Sequence, residues 1–354
     1  MRVTSPPLTR PSRYQSITLA STVPTAFSAS RTDAIYAALD LGTNNCRMLV
    51  ARPTADGFRV VDAFSRITRL GEGVAACGQL SEAAQARTIA ALRACADKMA
   101  RNRVSRARLV ATEACRRAGN CATFAHRVHA ETGLDLEIIS AKEEAGLALG
   151  GCSSLMRGDY PWALVFDIGG GSTELIWVRN APDGPDVRGV VSLPLGVVTL
   201  AEQMGEALHN PAGYALTVTQ IVTRLAAFEA EHAITARLLM GEVQMLGTSG
   251  TVTTLAALHL KLDRYDRAAV DGLDLRLSDI ARVTASLLSM SASERVAHPC
   301  IGADRADLVI AGCAILEALC RLWPLSSLRV ADRGVREGML LSMMREDAAW
   351  TCSE

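Results

Sequence analysis

The sequence of 354 residues predicts an α/β protein that consists of two similar lobes with a cleft between them. An apolar run that ends at Asp167 leads into three glycines at 169–171 and then into a second apolar run. This order is typical of a β-hairpin. The segment 37–50 aligns with it without a gap, and internal repetition of this kind indicates a duplicated unit. Strands and helices alternate through both halves, which favours a mixed sheet in each lobe.

The two predicted hairpins carry matching residues. Asp40 aligns with Asp167 and Gly42 aligns with Gly169, so each half contains an Asp-x-Gly turn. Glycines let the backbone approach a ligand and turn its N–H groups toward one point, which suits a phosphate. A carboxylate beside that phosphate requires a hard cation such as Mg²⁺ between them. The pattern predicts a phosphate chain held in the cleft, and a plain hairpin with a glycine bulge is the alternative interpretation.

The composition is that of a globular chain, with 49% hydrophobic and 21% charged residues, and its length favours two domains. The formal net charge is zero, so bulk charge indicates neither a nucleic-acid nor a membrane partner. No apolar run reaches the roughly 18 residues that span a bilayer. The ten cysteines include no C-x-x-C pair. We therefore expect free thiols in a reducing cytoplasm rather than disulfides or zinc.

Domain boundaries follow the repeat. The first 33 residues are rich in Ser, Thr and Pro and contain no acid before Asp33, so we expect a disordered tail. The predicted division is a tail at 1–33, a first lobe at 34–142, a second lobe at 143–334, and a C-terminal helix at 335–354 that returns to pack near the first lobe.

In the first lobe, two strands flank Gly42 and a third runs over 58–64. Ser81 is the predicted N-cap of an Ala-rich helix that ends near residue 100. A strand, a polar loop, a helix and a strand over 136–140 follow. Ser140 then opens the helix that leaves this lobe.

The second lobe repeats the order of the first. After its hairpin come a strand at 187–193, an amphipathic helix at 216–232 and a strand–turn–helix segment at 244–255. The turn of that segment directs backbone N–H groups of a helix N-terminus toward the cleft. An apolar helix at 308–322 and a strand at 328–332 complete the lobe.

Eight motifs, taken together and in order, resemble one family. The chain is similar to the exopolyphosphatase / guanosine pentaphosphate phosphohydrolase family of bacteria from about residue 34 to residue 341. The resemblance implies two duplicated lobes of the ribonuclease-H-like type, as in actin and hexokinase, with mixed sheets flanked by helices and the active site in the interlobe cleft. The motifs are ALDLGTNNCRMLVA, ATEACRRA, IISAKEEAGLALGG, VFDIGGGSTELI, SLPLGVVTL, LGTSGTVTTLAAL, RADLVIAGCAIL and ADRGVREGML.

The chain departs from the family pattern in two places. Asn45-Cys46-Arg47 replaces the Ser-Phe-His that commonly follows the first turn. The sequence also ends soon after the second lobe, so we expect none of the helical C-terminal domains of longer members. The sequence is compatible with a homodimer as well as with a monomer.

Cleavage of a terminal phosphoanhydride requires a positioned water and neutralised phosphoryl charge. Asp40, Asp167 and Glu174 are natural ligands for Mg²⁺. The resemblance implies that Glu144 is the catalytic carboxylate and that Arg116 binds phosphate. Glu143 should point away because adjacent helical residues do not share a face. The alternative for this acidic pair is a helix N-terminus enriched in acids for its dipole.

Phosphate oxygens are expected to contact the turn residues of both lobes. Arg305 and Asp307 are interpreted as an interlobe ion pair, not as ligand-binding residues. The predicted phosphate-binding residues are Gly42, Thr43, Asn44, Asn45, Gly169, Gly170, Gly171, Ser172, Thr173, Gly247, Ser249 and Gly250.

The leading functional prediction is a Mg²⁺-dependent exopolyphosphatase in which a carboxylate-activated water removes the terminal phosphate of inorganic polyphosphate. The same chemistry on guanosine pentaphosphate, alone or as a second activity, is the close alternative. A sugar or acid kinase of the same fold would need an adenosine pocket, whereas the turn here is the short Gly-Thr-Ser-Gly-Thr. A non-catalytic regulator that binds polyphosphate or the alarmone is the most distant alternative, since a pure binder has no need of a base.

Overall fold

The computed structural model describes residues 34–351, with side chains through residue 348. The predicted tail at 1–33 lies outside these residues. Two mixed sheets flanked by helices form the described part, so the predicted fold class is confirmed. No helix within 34–351 has the length and apolar character needed to cross a membrane.

The first lobe contains a five-stranded sheet in the order β3-β2-β1-β4-β5. Strand β1 pairs antiparallel with β2 and parallel with β4, which makes the sheet mixed. The elements are β1 (Tyr36–Leu41), β2 (Asn45–Thr54), β3 (Gly57–Ile67), α1 (Val74–Cys77), α2 (Glu82–Arg101), β4 (Arg106–Ala111), α3 (Glu113–Arg117), α4 (Cys121–Thr132), β5 (Glu137–Ile138) and α5 (Ala141–Cys152).

The second lobe contains a six-stranded sheet in the order β10-β11-β9-β6-β7-β8. Read from its other end, the order β8-β7-β6-β9-β11 repeats that of the first sheet, and the short β10 is added at the edge beside β11. The elements are β6 (Trp162–Ile168), β7 (Thr173–Ala181), β8 (Gly184–Leu193), α6 (Val197–Met204), α7 (Pro211–His232), α8 (Ile234–Leu239), β9 (Val243–Thr248), α9 (Gly250–His259), α10 (Arg267–Val270), β10 (Asp274–Arg276), α11 (Leu277–Ser289), α12 (Ala292–Ala297), α13 (Val309–Leu322), β11 (Ser327–Ala331) and α14 (Val335–Thr351).

Both sheets are covered on their two faces, because successive strand residues point to opposite sides. In the first sheet, Leu39 packs in a cluster with Ile89 of α2 and Phe124 of α4. Its neighbour Ala38 packs on the opposite face with Met339 of α14. Each lobe therefore has an outer helical layer and one inner helix that faces the other lobe.

The second sheet follows the same rule. Phe166 of β6 belongs to the large cluster that contains Leu225 of α7 and Ile315 of α13. Val165, one residue earlier, packs with Leu149 of α5 on the inner face. Helix α5 therefore leaves the first lobe and covers the sheet of the second.

Helices α5 and α14 cross at very short range between the lobes. A Cβ atom on Gly151 would lie 2.1 Å from the carbonyl oxygen of Gly334, and one on Gly338 would lie 2.0 Å from that of Leu147. Only glycine allows this approach of two backbones. The crossing links the inner layers of the two lobes.

The predicted helix starts at Ser81 and Ser140 are confirmed. Ser81 Oγ accepts a hydrogen bond of 3.2 Å from Ala84 N, and Ser140 Oγ accepts one of 3.2 Å from Glu143 N. The predicted start of the helix at 216 was wrong. Helix α7 begins at Pro211, because Asn210 caps it and a proline at the first position needs no backbone donor.

Candidate active site

The turns of the two hairpins have the same geometry. In the first lobe Gly42 N donates to Asn45 O at 2.9 Å, and in the second Gly169 N donates to Ser172 O at 2.9 Å. The strand register pairs Asp40 with Arg47 in one hairpin and Asp167 with Glu174 in the other. The first hairpin therefore carries Arg47 at the position where the second hairpin carries Glu174.

The two turns meet at the bottom of the interlobe cleft. A Cβ atom on Gly170 would lie 3.1 Å from Asn44 N, and one on Gly171 would lie 2.5 Å from Thr43 Oγ1. Glycine at these positions lets one turn rest against the other. Thr43 Oγ1 and Asn44 Oδ1 are buried and lack a hydrogen-bond partner in the part of the chain that the structure describes.

These two orphaned atoms suit an anionic ligand. The Thr43 hydroxyl can donate to a phosphate oxygen. A half-turn of the Asn44 amide, whose orientation is assigned from its contacts, presents an NH₂ group to the same space. Both groups therefore gain a partner when a phosphate enters the cleft.

The structure brings most of the predicted site residues to one cavity between the lobes. Glu174 is not among the residues that line the cavity, and it is only 1% exposed. The predicted residues that line the cavity are Asp40, Gly42, Thr43, Asn44, Asn45, Glu144, Asp167, Gly169, Gly170, Gly171, Ser172, Ser249 and Gly250.

Asp40 and Asp167 lie deep in this cavity and retain only partial contact with solvent. Burial raises the pKa of Asp167 to about 7, and the negative charges of Glu144 and Asp40 add to the shift. Burial likewise raises the pKa of Asp40, against the opposing charge of Arg47. Desolvation and like charge both disfavour the ionised form of such groups. The negative charges of Asp40 and Asp167 therefore repel each other when both groups are ionised.

Glu144 and Glu174 extend this cluster. Burial raises the pKa of Glu144 to about 8, with a second contribution from the charge of Glu174. Burial, followed by the charge of Asp167, raises the pKa of Glu174 to about 7. Ser192 Oγ donates a hydrogen bond of 2.8 Å to Glu174 Oε1, which fixes that carboxylate.

Arg116 is held by two carboxylates. Its Nη1 donates to Glu144 Oε2 at 2.7 Å and to Ile139 O at 3.0 Å. Its Nε and Nη2 both donate to Glu113 Oε2, at 3.1 and 2.9 Å. Such charge-assisted contacts fix the plane of the guanidinium. Arg116 and Glu144 therefore form one polar network.

Glu143 points away from the cleft, as predicted. Its carboxylate forms an ion pair with Arg108, which also binds Glu137. Adjacent positions at a helix start differ by about 100° in direction, so only one of the two glutamates can face the cavity.

Two predicted phosphate-binding residues do not face the cleft. The Thr173 hydroxyl is buried and donates to Leu195 O at 2.6 Å. Gly247 lies inside β9, where an added Cβ atom would meet the ring of Phe166 at 2.5 Å. Thr173 follows Ser172, which does line the cavity, but Thr173 is the first residue of β7 and its side chain turns toward the core. Gly247 follows the fully buried Leu246 and lies two residues before Ser249, which lines the cavity.

The interpretation of Arg305 and Asp307 as a pair was wrong. Asp307 does bridge the lobes, but its partner is Arg69, with 3.1 Å between Nη2 and Oδ2. Arg305 instead donates from Nη1 to Thr254 Oγ1 at 3.3 Å. The contact between the lobes is extended by Gly73 N, which donates to Glu202 Oε1 at 3.0 Å.

Among the charged residues that line the cavity, sequence reasoning missed three, namely Glu113, Arg47 and Arg305. Glu113 carried a local signal, because it stands three positions before Arg116 and such residues are neighbours on a helix. Arg47 and Arg305 carried no local signal, since their approach to the cavity depends on how the lobes pack.

The donor set is compatible with a hard divalent cation. Three carboxylates whose pKa values are raised by burial and mutual repulsion gain charge neutralisation from such an ion, and their oxygens are the ligands it prefers. Within residues 34–351, however, no three His, Cys, Asp or Glu side chains converge closely enough to enclose an ion unaided. Water and phosphate oxygens would have to complete its coordination shell.

Two duplicated lobes, with paired glycine turns and a buried carboxylate cluster between them, form the kind of cleft expected of an enzyme that acts on phosphate groups. The chain belongs to the Ppx/GppA phosphatase family, whose model matches residues 49–347. The family resemblance drawn from the motifs is thereby confirmed.

Relatives at moderate identity cover nearly all of the chain. It is 31% identical over 323 residues to "Exopolyphosphatase 2" of Mycobacterium tuberculosis, covering 87% of this chain and 98% of that one. It is 27% identical to "Guanosine-5'-triphosphate,3'-diphosphate pyrophosphatase" of Aeromonas salmonicida, covering 88% of this chain but 59% of that protein. The solved Ppx/GppA family member of Aquifex aeolicus has a TM-score of 0.72 at 28% identity, covering 89% and 98% of the two chains.

Proposed function

We propose that this protein is a divalent-metal-dependent exopolyphosphatase, which hydrolyses the terminal phosphate from inorganic polyphosphate. The observation that carries the proposal is the position of Glu144, in a cluster with Asp167 and Glu174 and beside two facing glycine turns. The relative from Mycobacterium tuberculosis, which matches along almost its whole length, bears the name of this activity.

The glycine turns hold the terminal phosphate in this proposal. The backbone N–H groups at 43–44 and 170–171, with the unpartnered hydroxyl of Thr43, would direct donors into one narrow space, because those of Gly42 and Gly169 close the turns. Arg116 approaches from the side of Glu144 and adds a guanidinium that suits phosphate oxygens. Fixed donors of this kind stabilise the charge that spreads over a transferring phosphoryl group.

Glu144 orients the attacking water and takes its proton. A general base is most effective when its pKa lies near the working pH, and burial raises that of Glu144 to about 8. The oxygen of the water forms a bond to the terminal phosphorus, and the bridging oxygen leaves with the shortened chain. Arg116, hydrogen-bonded to Glu144, keeps the carboxylate aimed into the cavity.

Asp40, Asp167 and Glu174 would hold Mg²⁺ or another divalent cation, with water and phosphate oxygens as further ligands. The ion would neutralise phosphoryl charge during hydrolysis. In its absence, burial and then repulsion from neighbouring carboxylates raise the pKa values of Asp167 and Glu174.

Guanosine pentaphosphate is the second candidate substrate. The Aeromonas relative carries the name of that activity, and the chemistry at the terminal phosphate is the same. We propose that both substrates use the same cavity. A cytoplasmic location fits the nine free cysteines among the described residues, since thiols persist in reducing compartments.

Phosphate release from long polyphosphate, tripolyphosphate and guanosine pentaphosphate, with Mg²⁺ or with EDTA, tests the proposal. We expect Mg²⁺-dependent release from at least one polyphosphate, and loss of that release in E144Q. Release that is no faster than in E144Q for all polyphosphates would contradict it, and release from guanosine pentaphosphate alone would select the second candidate.

A further inference from the structure

A separate cavity opens in the second lobe, at the end opposite to the active site. Strands β6, β9 and β11 run parallel, and the active-site cavity lies where β6 ends and at the turn that follows β9. The separate cavity lies instead where β9 and β11 begin, and its volume is about 250 Å³. The two cavities have no described lining residue in common.

The charged residues that line this distal cavity are two arginines and one aspartate. Arg329 Nη1 donates to Oδ1 of Asp274 at 3.3 Å and to Oδ2 at 3.1 Å, and Arg157 forms an ion pair with the same carboxylate. Each guanidinium has five N–H donors, whereas a carboxylate accepts at about four positions. The cavity therefore has a net positive charge and more donors than its own carboxylate can use.

One of these donors is buried and unused. Arg329 Nε is shielded from solvent and makes no hydrogen bond to any residue that the structure describes. A buried donor without a partner costs free energy relative to a paired one. An acceptor atom that enters the cavity beside Arg329 would remove this cost.

The backbone of the second arginine is held in place by two amide side chains. Gln244 Oε1 accepts a hydrogen bond of 2.8 Å from Arg157 N, and Gln244 Nε2 donates one of 2.8 Å to Arg157 O. Asn180 Nδ2 donates to the same carbonyl at 2.9 Å. Gln244 is only 6% exposed, so a buried side chain positions this one loop residue. Groups that are fixed in advance lose less entropy when a ligand binds.

Much of the remaining lining is apolar. Leu238, Val243, Met245 and Leu325 belong to it, together with the aromatic Tyr160. Binding sites for small molecules typically combine an apolar wall with a few polar or charged groups that orient the ligand. The volume is below the roughly 300 Å³ at which most such sites begin, so the ligand must be small.

We propose that this distal cavity binds a small carboxylate with an apolar body. The ligand carboxylate would accept hydrogen bonds from Arg157 and Arg329, while its body contacts the apolar wall. Arginine suits this role because a guanidinium can donate two parallel hydrogen bonds to one carboxylate. Asp274 holds part of the donor set, so it competes with the ligand for the two guanidinium groups. The inference is independent of the proposed hydrolysis.

Two-dimensional NMR titration of the full chain with benzoate tests the inference. Amide signals of residues 157–160, 243–245 and 326–329 should shift until the site is saturated, while those of 42–44 and 169–171 stay in place. Benzamide has the same ring without the charge, and acetate has the charge without the ring. Each should bind at least about tenfold more weakly than benzoate.

Four variants separate loss of the charges from damage to the fold. Benzoate affinity should fall by about tenfold or more in R329A, and by about threefold or more in R329K, which keeps the charge but not the paired donors. D274N should bind benzoate about threefold more tightly or better, because it removes the competing carboxylate. R93A is the matched control, since Arg93 pairs with Glu131 on the surface of the first lobe.

Signals that do not move up to about 20 mM benzoate would overturn the inference, as would benzamide that binds as tightly as benzoate. Shifts confined to the glycine turns would also overturn it, because they would place the anion in the active site. An affinity in R329A equal to that in R93A would exclude the arginine contact. Weaker binding in a D274N protein of unchanged Tm would contradict the proposed competition and overturn the assignment.

Discussion

Arg116 donates a hydrogen bond of 2.7 Å from Nη1 to Oε2 of Glu144, and both side chains are largely buried. The arginine that we place on the phosphate and the carboxylate that we place on the water therefore contact each other before substrate binds. Two opposing effects act on the carboxylate. The charge of Arg116 lowers the pKa of Glu144, but burial outweighs it and raises that pKa to about 8.

The first prediction is that E144Q keeps substrate binding and lowers kcat by the roughly 10²–10⁴-fold typical of a lost general base. Glutamine preserves the shape and the hydrogen bond from Arg116 but has no basic oxygen. E143Q is the matched control, since its carboxylate pairs with Arg108 outside the cleft. Steady-state kinetics on both variants, with a binding assay, measure the difference. Small and equal effects would remove Glu144 from the mechanism.

The second prediction concerns the guanidinium plane of Arg116. R116K keeps the charge, but a lysine cannot reproduce the hydrogen bonds that the guanidinium donates to Glu113 and Glu144 together. We therefore expect kcat/KM to fall by about tenfold or more. R117K is the control, because Arg117 is the exposed neighbour on the same short helix. A loss shared by both variants would point to disruption of α3 instead of a lost phosphate contact.

The third prediction is a pH-dependent stability in the absence of metal. The pKa values of Asp167, Glu174 and Glu144 are raised in the folded state, so folding retains protons that the unfolded chain releases. This contribution is complete below the unfolded pKa values and is lost as the pH rises through about 7 to 8. In EDTA, Tm should therefore fall between about pH 5 and about pH 8.5.

Mg²⁺ should raise Tm more at the upper end of that range, where the carboxylates are ionised and bind the cation best. D167N removes one charge from the cluster, so its Tm in EDTA should decline less steeply than that of the wild type. Scanning calorimetry of both proteins across the range measures these slopes. Parallel declines would show that the carboxylate cluster does not set the pH dependence.

The fourth prediction tests the contact between the two turns. In G171A the new Cβ would lie 2.5 Å from Thr43 Oγ1 and 3.0 Å from Glu113 Cγ, so these two side chains or the turn that carries residue 171 must shift. A displacement of about 1 Å at a catalytic site can cost about 100-fold in rate, and the overpacking should cost about 1–3 kcal/mol of stability.

G158A is the control for that substitution. Gly158 is exposed and a Cβ there would meet nothing within 4 Å. Rate and stability should stay close to those of the wild type. A G171A protein with wild-type kcat/KM would show that the close approach of the turns is not required for hydrolysis.

Much of the fold was predictable because its signals are local. Ser81 and Ser140 cap helices through hydrogen bonds that span three residues. The Asp-x-Gly turns close over four residues, and the repeat between them is visible without any tertiary information. The start of α7 was also local, at Asn210 and Pro211, and the prediction began it five residues late.

The sequence by itself determined the two lobes, their hairpins and the family. Each of these depends on residue order and on interactions within a few positions of the chain. The tertiary structure alone decided which charges meet. Glu144 lies beside Glu174, Asp307 binds Arg69, and Arg47 reaches Gly250, although all three pairs are far apart in the chain. Desolvation and charge interactions depend on distance and burial in the folded state, and neither quantity is written in the local sequence.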